Sequence, residues 1–135
     1  MASIRQEIRV RATPDAVWGV IRDVGALHDR LVPGFVVDTK LEPGARVVTF
    51  GNGLVVRELI VDLDDAARRL VWSARGGQLS HHNASVQVCA AADGGATVVW
   101  ICDLLPDAAR AAIDAMISHA MSIMQRTLDA LDPTA

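Results

Sequence analysis

Between Asp107 and Leu131 the chain carries a single long amphipathic helix signal, and the segments before it offer little helix with which to cover a sheet. Ile113, Ile117, Ala120, Met124, Leu128 and Leu131 recur at steps of three and four, the spacing of one helical face. Met116, Met121 and Ile123 widen that face, while Asp114, Ser118, Ser122, Arg126 and Asp129 fall toward the polar side. At about 1.5 Å per residue, a helix of this length can cross an entire sheet.

Ahead of Pro106 the dominant period is two. Ile4 to Ala12 alternates apolar and charged residues, the pattern of a half-buried strand. Thr13-Pro14-Asp15 then starts a helix, with Thr13 as N-cap and Pro14 at the first helical position, where no N–H is needed. Gly25 to Leu31 reads as a second short helix, stopped before Pro33-Gly34. Six more strands are expected over Phe35 to Leu41, Arg46 to Phe50, Leu54 to Leu63, Arg69 to Arg75, Ala84 to Ala91 and Thr97 to Leu105. Turn signals separate most of them, namely Glu42-Pro43-Gly44, Gly51-Asn52-Gly53, Asp64 to Ala67 and Asp93-Gly94-Gly95. Such short connections join antiparallel neighbours. The segment from Gly76 to His82 is longer and looser.

Seven strands and so little helix leave one economical arrangement. It is an α+β domain in which a strongly curved, seven-stranded antiparallel sheet wraps around the long C-terminal helix and is closed at one end by the two short helices. With 135 residues, no internal repeat and no linker, the chain is one domain. Its fillers are small or flexible. There is no Tyr, Phe35 and Phe50 are the only Phe, and Trp18, Trp72 and Trp100 are the only Trp. An apolar cavity between sheet and helix is the expected consequence.

Several function classes are disfavoured. A formal net charge of −3, a single Lys (Lys40) and scattered Arg argue against a nucleic-acid surface. No apolar run is long enough to span a bilayer, so stable membrane insertion is not expected, and the charged Arg5-Gln6-Glu7 segment does not suit a signal peptide. A cytoplasmic location follows by default. Cys89 and Cys102 lack metal-ligand spacing and read as small core residues. His81 and His82 are adjacent on an extended segment and would point to opposite sides, so no metal site and no cofactor are expected. No Gly-x-Ser-x-Gly elbow, P-loop or dinucleotide fingerprint is present.

The strand ending at Ala12, followed by Thr13-Pro14-Asp15-Ala16-Val17-Trp18, resembles the opening of the START-like (SRPBCC) superfamily. That group includes polyketide cyclase/dehydrase and lipid-transport proteins, the birch-pollen-allergen family and the plant abscisic acid receptors. The resemblance continues through Arg57-Glu58-Leu59, Asp64-Asp65, Arg68 to Trp72 and Trp100 to Pro106, and ends in the Met-rich helix. It implies a helix-grip fold with a ligand cavity between sheet and terminal helix. In the receptor branch two loops flank the cavity mouth; here they would match Gly51-Asn52-Gly53 and Gly76 to Ser80. The first is shorter than the receptors' gate and lacks its Ser-Gly-Leu-Pro pattern.

Glu58 matches a cavity carboxylate of the receptors. Alternation puts Val56, Glu58 and Ile60 on one face and Arg57, Leu59 and Val61 on the other, without deciding which faces inward. Inward, Glu58 is a ligand anchor or general base; outward, it is a strand charge paired with a neighbouring Arg. Trp72 matches a pocket aromatic, and Ala74 follows on its face. Asn83 and Ser85 are expected to line the next strand inward and supply neutral hydrogen bonds. The helix would contribute Met116, Ile117, Ala120, Met121 and Met124, where Met suits varied apolar ligands.

The leading expectation is therefore a monomer or homodimer that binds a small hydrophobic molecule. A cyclase/dehydrase-type enzyme is the first alternative, with Glu58, Asp103 and His119 as catalytic candidates for proton transfer. A ligand-gated interaction module is the second.

Overall fold

The computed structural model describes residues 1–131. Its elements are β1 (Ala2–Val10), α1 (Pro14–Ile21), β2 (Val36–Glu42), β3 (Ala45–Phe50), β4 (Val55–Asp64), β5 (Arg69–Arg75), β6 (His81–Ala90), β7 (Ala96–Leu105) and α2 (Arg110–Asp129). The seven strands form one sheet in the order β1-β7-β6-β5-β4-β3-β2, with every neighbouring pair antiparallel. Among the described residues no helix is long and apolar enough to cross a membrane.

Local chemistry explains most boundaries. Thr13 caps α1, its hydroxyl accepting from the Ala16 N–H at 3.3 Å, and Pro14 fills the first turn. The Trp18 indole N–H and the Arg22 guanidinium both donate to Asp65 Oδ1 at 2.8 Å, tying α1 to the β4–β5 turn. These two donors, Arg22 foremost, hold the Asp65 carboxyl below its ordinary range. The second short helix is irregular: a 3-10 turn at Val24–Ala26 runs into a π-type turn at Leu27–Leu31. The terminal helix also starts later than its periodicity suggests. Asp107–Ala109 form a 3-10 turn before α2 begins at Arg110.

Gly44 adopts φ +68° in the tight β2–β3 hairpin, a conformation that carries a steric penalty in other residues. Gly51 is needed for another reason, since a Cβ there would lie 2.5 Å from the Gly34 carbonyl oxygen. That close approach seats the β3–β4 turn against the loop before β2, where the Gly51 N–H donates to the Phe35 carbonyl at 2.9 Å.

The edge strand β1 and the residue that follows it are tied to α2 by hydrogen bonds. Gln6 donates to the Asp114 side chain at 2.8 Å, Gln125 donates to the Arg9 carbonyl at 2.8 Å, and Asp129 accepts from the Arg11 N–H at 2.9 Å. These bonds fix the helix across the concave face of the sheet. Val17, Val98 and Leu128 are fully enclosed in the core, with Val10, Val20 and Val88 also buried in it.

Candidate functional site

Between the concave face of the sheet and α2 the core is interrupted by a cavity of about 510 Å³. Its floor is built from Ile21, Leu70, Val86 and Met124, and its helix wall from Ile113, Met116, Ile117 and Ala120. The sheet wall carries Val56, Trp72, Ala74 and Trp100. The mouth lies where lining residues become exposed: Leu54 after the β3–β4 turn, Gly76 to Gln78 between β5 and β6, and Ala108 and Ala112 at the start of α2.

Two charges sit on this apolar wall. Arg46 is 3% exposed and Glu58 7%, and they face each other directly across the β3–β4 ladder. The Arg46 Nε–H donates to Glu58 Oε1 at 2.8 Å, and Nη1 donates to the Val24 carbonyl at 3.3 Å. The guanidinium also lies 5.8 Å from the centroid of the Trp72 ring, within cation–π range. Burial of either charge alone would be strongly unfavourable; together they neutralise one another. The two readings left open for Glu58 thus merge, since it faces the cavity and is also paired with an arginine of the next strand.

Other polar groups contribute. The β5–β6 ladder stops at Trp72 and Ala84, and His82 takes over beyond it. Its Nδ1 accepts from the Ala74 N–H at 2.9 Å, while its carbonyl accepts from the Ser73 hydroxyl. Accepting at Nδ1 leaves the proton of the neutral ring on Nε2. Burial, and then the neighbouring His81, hold the His82 pKa below its ordinary value, which keeps the ring neutral. Burial also pushes the Cys102 thiol up to about 11, so this cavity-lining cysteine is not a thiolate. Trp100 stacks edge-to-face on Trp72 with centroids 5.6 Å apart. Among the described residues its Nε1 is the one buried side-chain nitrogen or oxygen without a hydrogen-bond partner.

Of the residues singled out from the sequence, Val56, Glu58, Trp72, Ala74, Met116, Ile117, Ala120 and Met124 come together on the cavity wall. Ile60 shares the inward face, opposite Trp72, but packs against the core outside the cavity. Met121 is likewise buried in the core without lining the cavity.

Four further residues lie away from the cavity. Asn83 and Ser85 lie on the convex face, because β6 pairs His82 with Leu104 and Ala84 with Cys102, so the even-numbered residues point inward. Asp103 pairs with Asn83 and Ser3 on that same outer face, and Trp100 and Cys102 occupy the inner one. His119 is exposed on α2 and reaches only the outside of the cavity wall, with its ring 5.7 Å from that of Phe35. Asp103 and His119 therefore do not join Glu58 around a common space.

Arg46 and His82 were missed. Both follow a turn or loop, and both had a signal: Arg46 pairs with Glu58 once a hairpin is drawn through Gly51-Asn52-Gly53, and His82 keeps phase with the apolar run Ala84, Val86, Val88.

Comparison with solved structures gives the same architecture at low identity. A structural-genomics target from Thermobifida fusca matches with TM-score 0.78 and 26% identity, covering 96% of this chain and 91% of the other. One from Bacillus thuringiensis matches with TM-score 0.85 and 17% identity, covering 94% and 98%. The di-domain ARO/CYC protein BexL of the BE-7585A biosynthetic pathway matches with TM-score 0.84 and 16% identity, covering 96% of this chain and 47% of BexL. No curated protein matches the sequence. The family model described as "Polyketide cyclase / dehydrase and lipid transport" matches residues 1–135. With the sheet, the terminal helix and the cavity between them in place, the chain belongs to the polyketide cyclase/dehydrase and lipid transport family.

Proposed function

We propose that this protein binds a small, mainly apolar molecule in the cavity between the sheet and α2. The observation that carries the reading is a cavity of about 510 Å³ whose wall is aliphatic and aromatic apart from a few grouped polar side chains. That composition suits a site in which apolar surface supplies affinity and a few hydrogen bonds fix orientation. Val56, Trp72, Ala74, Met116, Ile117, Ala120 and Met124 would contact the apolar body, and Glu58 with Arg46 the polar end. The thioethers of Met116 and Met124 adapt to differing shapes.

Acid–base catalysis on a polyketide-like substrate has a narrower footing. Of its three candidates, Glu58 alone lines the cavity, and its near oxygen is engaged by Arg46. The binding reading is therefore preferred.

Native mass spectrometry of protein purified from its own cells tests it. A retained apolar molecule, released on denaturation, is expected. Preparations that carry nothing and fail to take up an added apolar fluorophore would remove the reading.

A further inference from the structure

The cavity wall has two formal charges, and they cancel. Arg46 and Glu58 are the charged residues lining it among those described, and the ion pair at 2.8 Å makes the site neutral overall. His82, the one other basic group on the wall, is kept uncharged by burial, and the Cys102 thiol is protonated. A lone buried arginine would favour an anion, and a lone buried carboxylate a cation. The pair favours neither, because an added charge would have to compete with an existing partner in a poorly solvated space.

The pair is also half-used. Arg46 spends Nε on Glu58 and Nη1 on Val24, while Nη2 takes no partner among the described residues. Glu58 accepts at Oε1, and Oε2 takes none. Neither free atom is sealed in the protein, as the single sealed and partnerless side-chain nitrogen or oxygen among the described residues is Trp100 Nε1. The two cavity-lining residues, paired across adjacent strands, therefore leave one charged donor atom and one charged acceptor atom without a partner. Hydrogen bonds to charged groups are the stronger ones.

Building on the binding reading above, we infer that the ligand is electrically neutral and carries a hydrogen-bond acceptor next to a donor at its polar end, matched to Arg46 Nη2 and Glu58 Oε2. A primary carboxamide has this chemistry, and so does a hydroxyl beside a ketone. A fatty-acid carboxylate or an alkylammonium ion does not.

Four probes with the same alkyl chain separate the possibilities by calorimetric titration: decanamide, methyl decanoate, decanoate and decylammonium, at about pH 7.5 where both ions are fully charged. Decanamide should bind tightest, with the ester, which lacks the donor, and both ions weaker by about tenfold or more. Either ion binding as tightly as decanamide overturns the inference while leaving the cavity reading intact. Failure of all four to bind folded protein removes the cavity reading itself. Glu58→Gln supplies a second arm, since it leaves Arg46 uncompensated. In that variant decanoate should overtake decanamide, and an unchanged order in folded E58Q overturns the inference. The ranking on the unaltered protein decides the matter whether or not that variant folds.

Discussion

The two ends of α2 face the same sheet and do opposite things. Toward its C-terminus Ile123 and Leu128 are buried in the core, and the interior there is closed, with Leu128 fully enclosed. Toward its N-terminus Ala108, Ala109 and Ala112 are too short to reach across, and Gly76 and Gly77 opposite them have no side chain at all. Ala108 and Ala109 belong to the 3-10 turn that leads into α2, and Ala112 to the regular helix that runs from Arg110 to Asp129. Side-chain length decides where the core is solid and where it is hollow. The polar groups follow the same division. Among the described residues no charge is buried in the closed end, whereas the hollow end holds the Arg46–Glu58 pair.

Truncation at the closed end should give the largest effect. Leu128→Ala is expected to cost about 3 kcal/mol, read as a shift in the chemical denaturation midpoint, because the enclosed site cannot relax to fill the void. A loss below about 1 kcal/mol would mean that this end is as loosely packed as the cavity.

Within the hollow end, Glu58→Gln should cost about 2 kcal/mol, because the amide oxygen still accepts from Arg46 but no longer balances its charge. The double change Arg46→Met with Glu58→Leu should recover most of that loss, as paired removal leaves no uncompensated charge. If the double variant is no more stable than the single one, the pair contributes packing that charge balance does not explain.

A smaller effect should appear in the acid limb. The folded-state pKa of His82 lies below its ordinary value of 6.5, so as pH falls through that value the unfolded chain takes up a proton that the folded protein resists. Stability should decline as pH drops from 7 toward 5, and His82→Gln should flatten that slope relative to the parent. An unchanged slope would mean that His82 titrates freely.

The smallest stability change is expected at the mouth. Ala112→Leu lies on an exposed helical position and should alter stability by about 0.5 kcal/mol or less. It should nevertheless weaken uptake of decanamide, because the longer side chain occupies space that the native Ala leaves open. Unimpaired uptake would place the ligand deeper than the mouth.

Much of this architecture was legible from local chemistry. The apolar steps from Ile113 to Leu128, the Thr13-Pro14 start of α1 and the turn residues at Pro43-Gly44 and Gly94-Gly95 each act over a few positions. The cavity wall was less legible. Asn83 and Ser85 are expected to line the next strand inward and supply neutral hydrogen bonds, yet the apolar alternation of Ala84, Val86 and Val88 carries the opposite phase. Asp103 shares a side with Ile101 and Leu105, but periodicity names the sides of a strand without saying which is concave.

By itself, then, the sequence determined the elements, their order, the antiparallel hairpins and the helix face that meets the sheet, because each depends on residues close together in the chain. Only the tertiary structure decided which face of β4, β6 and β7 turns inward, that Arg46 and Glu58 share one buried contact, and that His82 closes the gap where two strands part. Those facts depend on strand register and on the position of α2 across the sheet, which bring together residues far apart in sequence, and no local period encodes them.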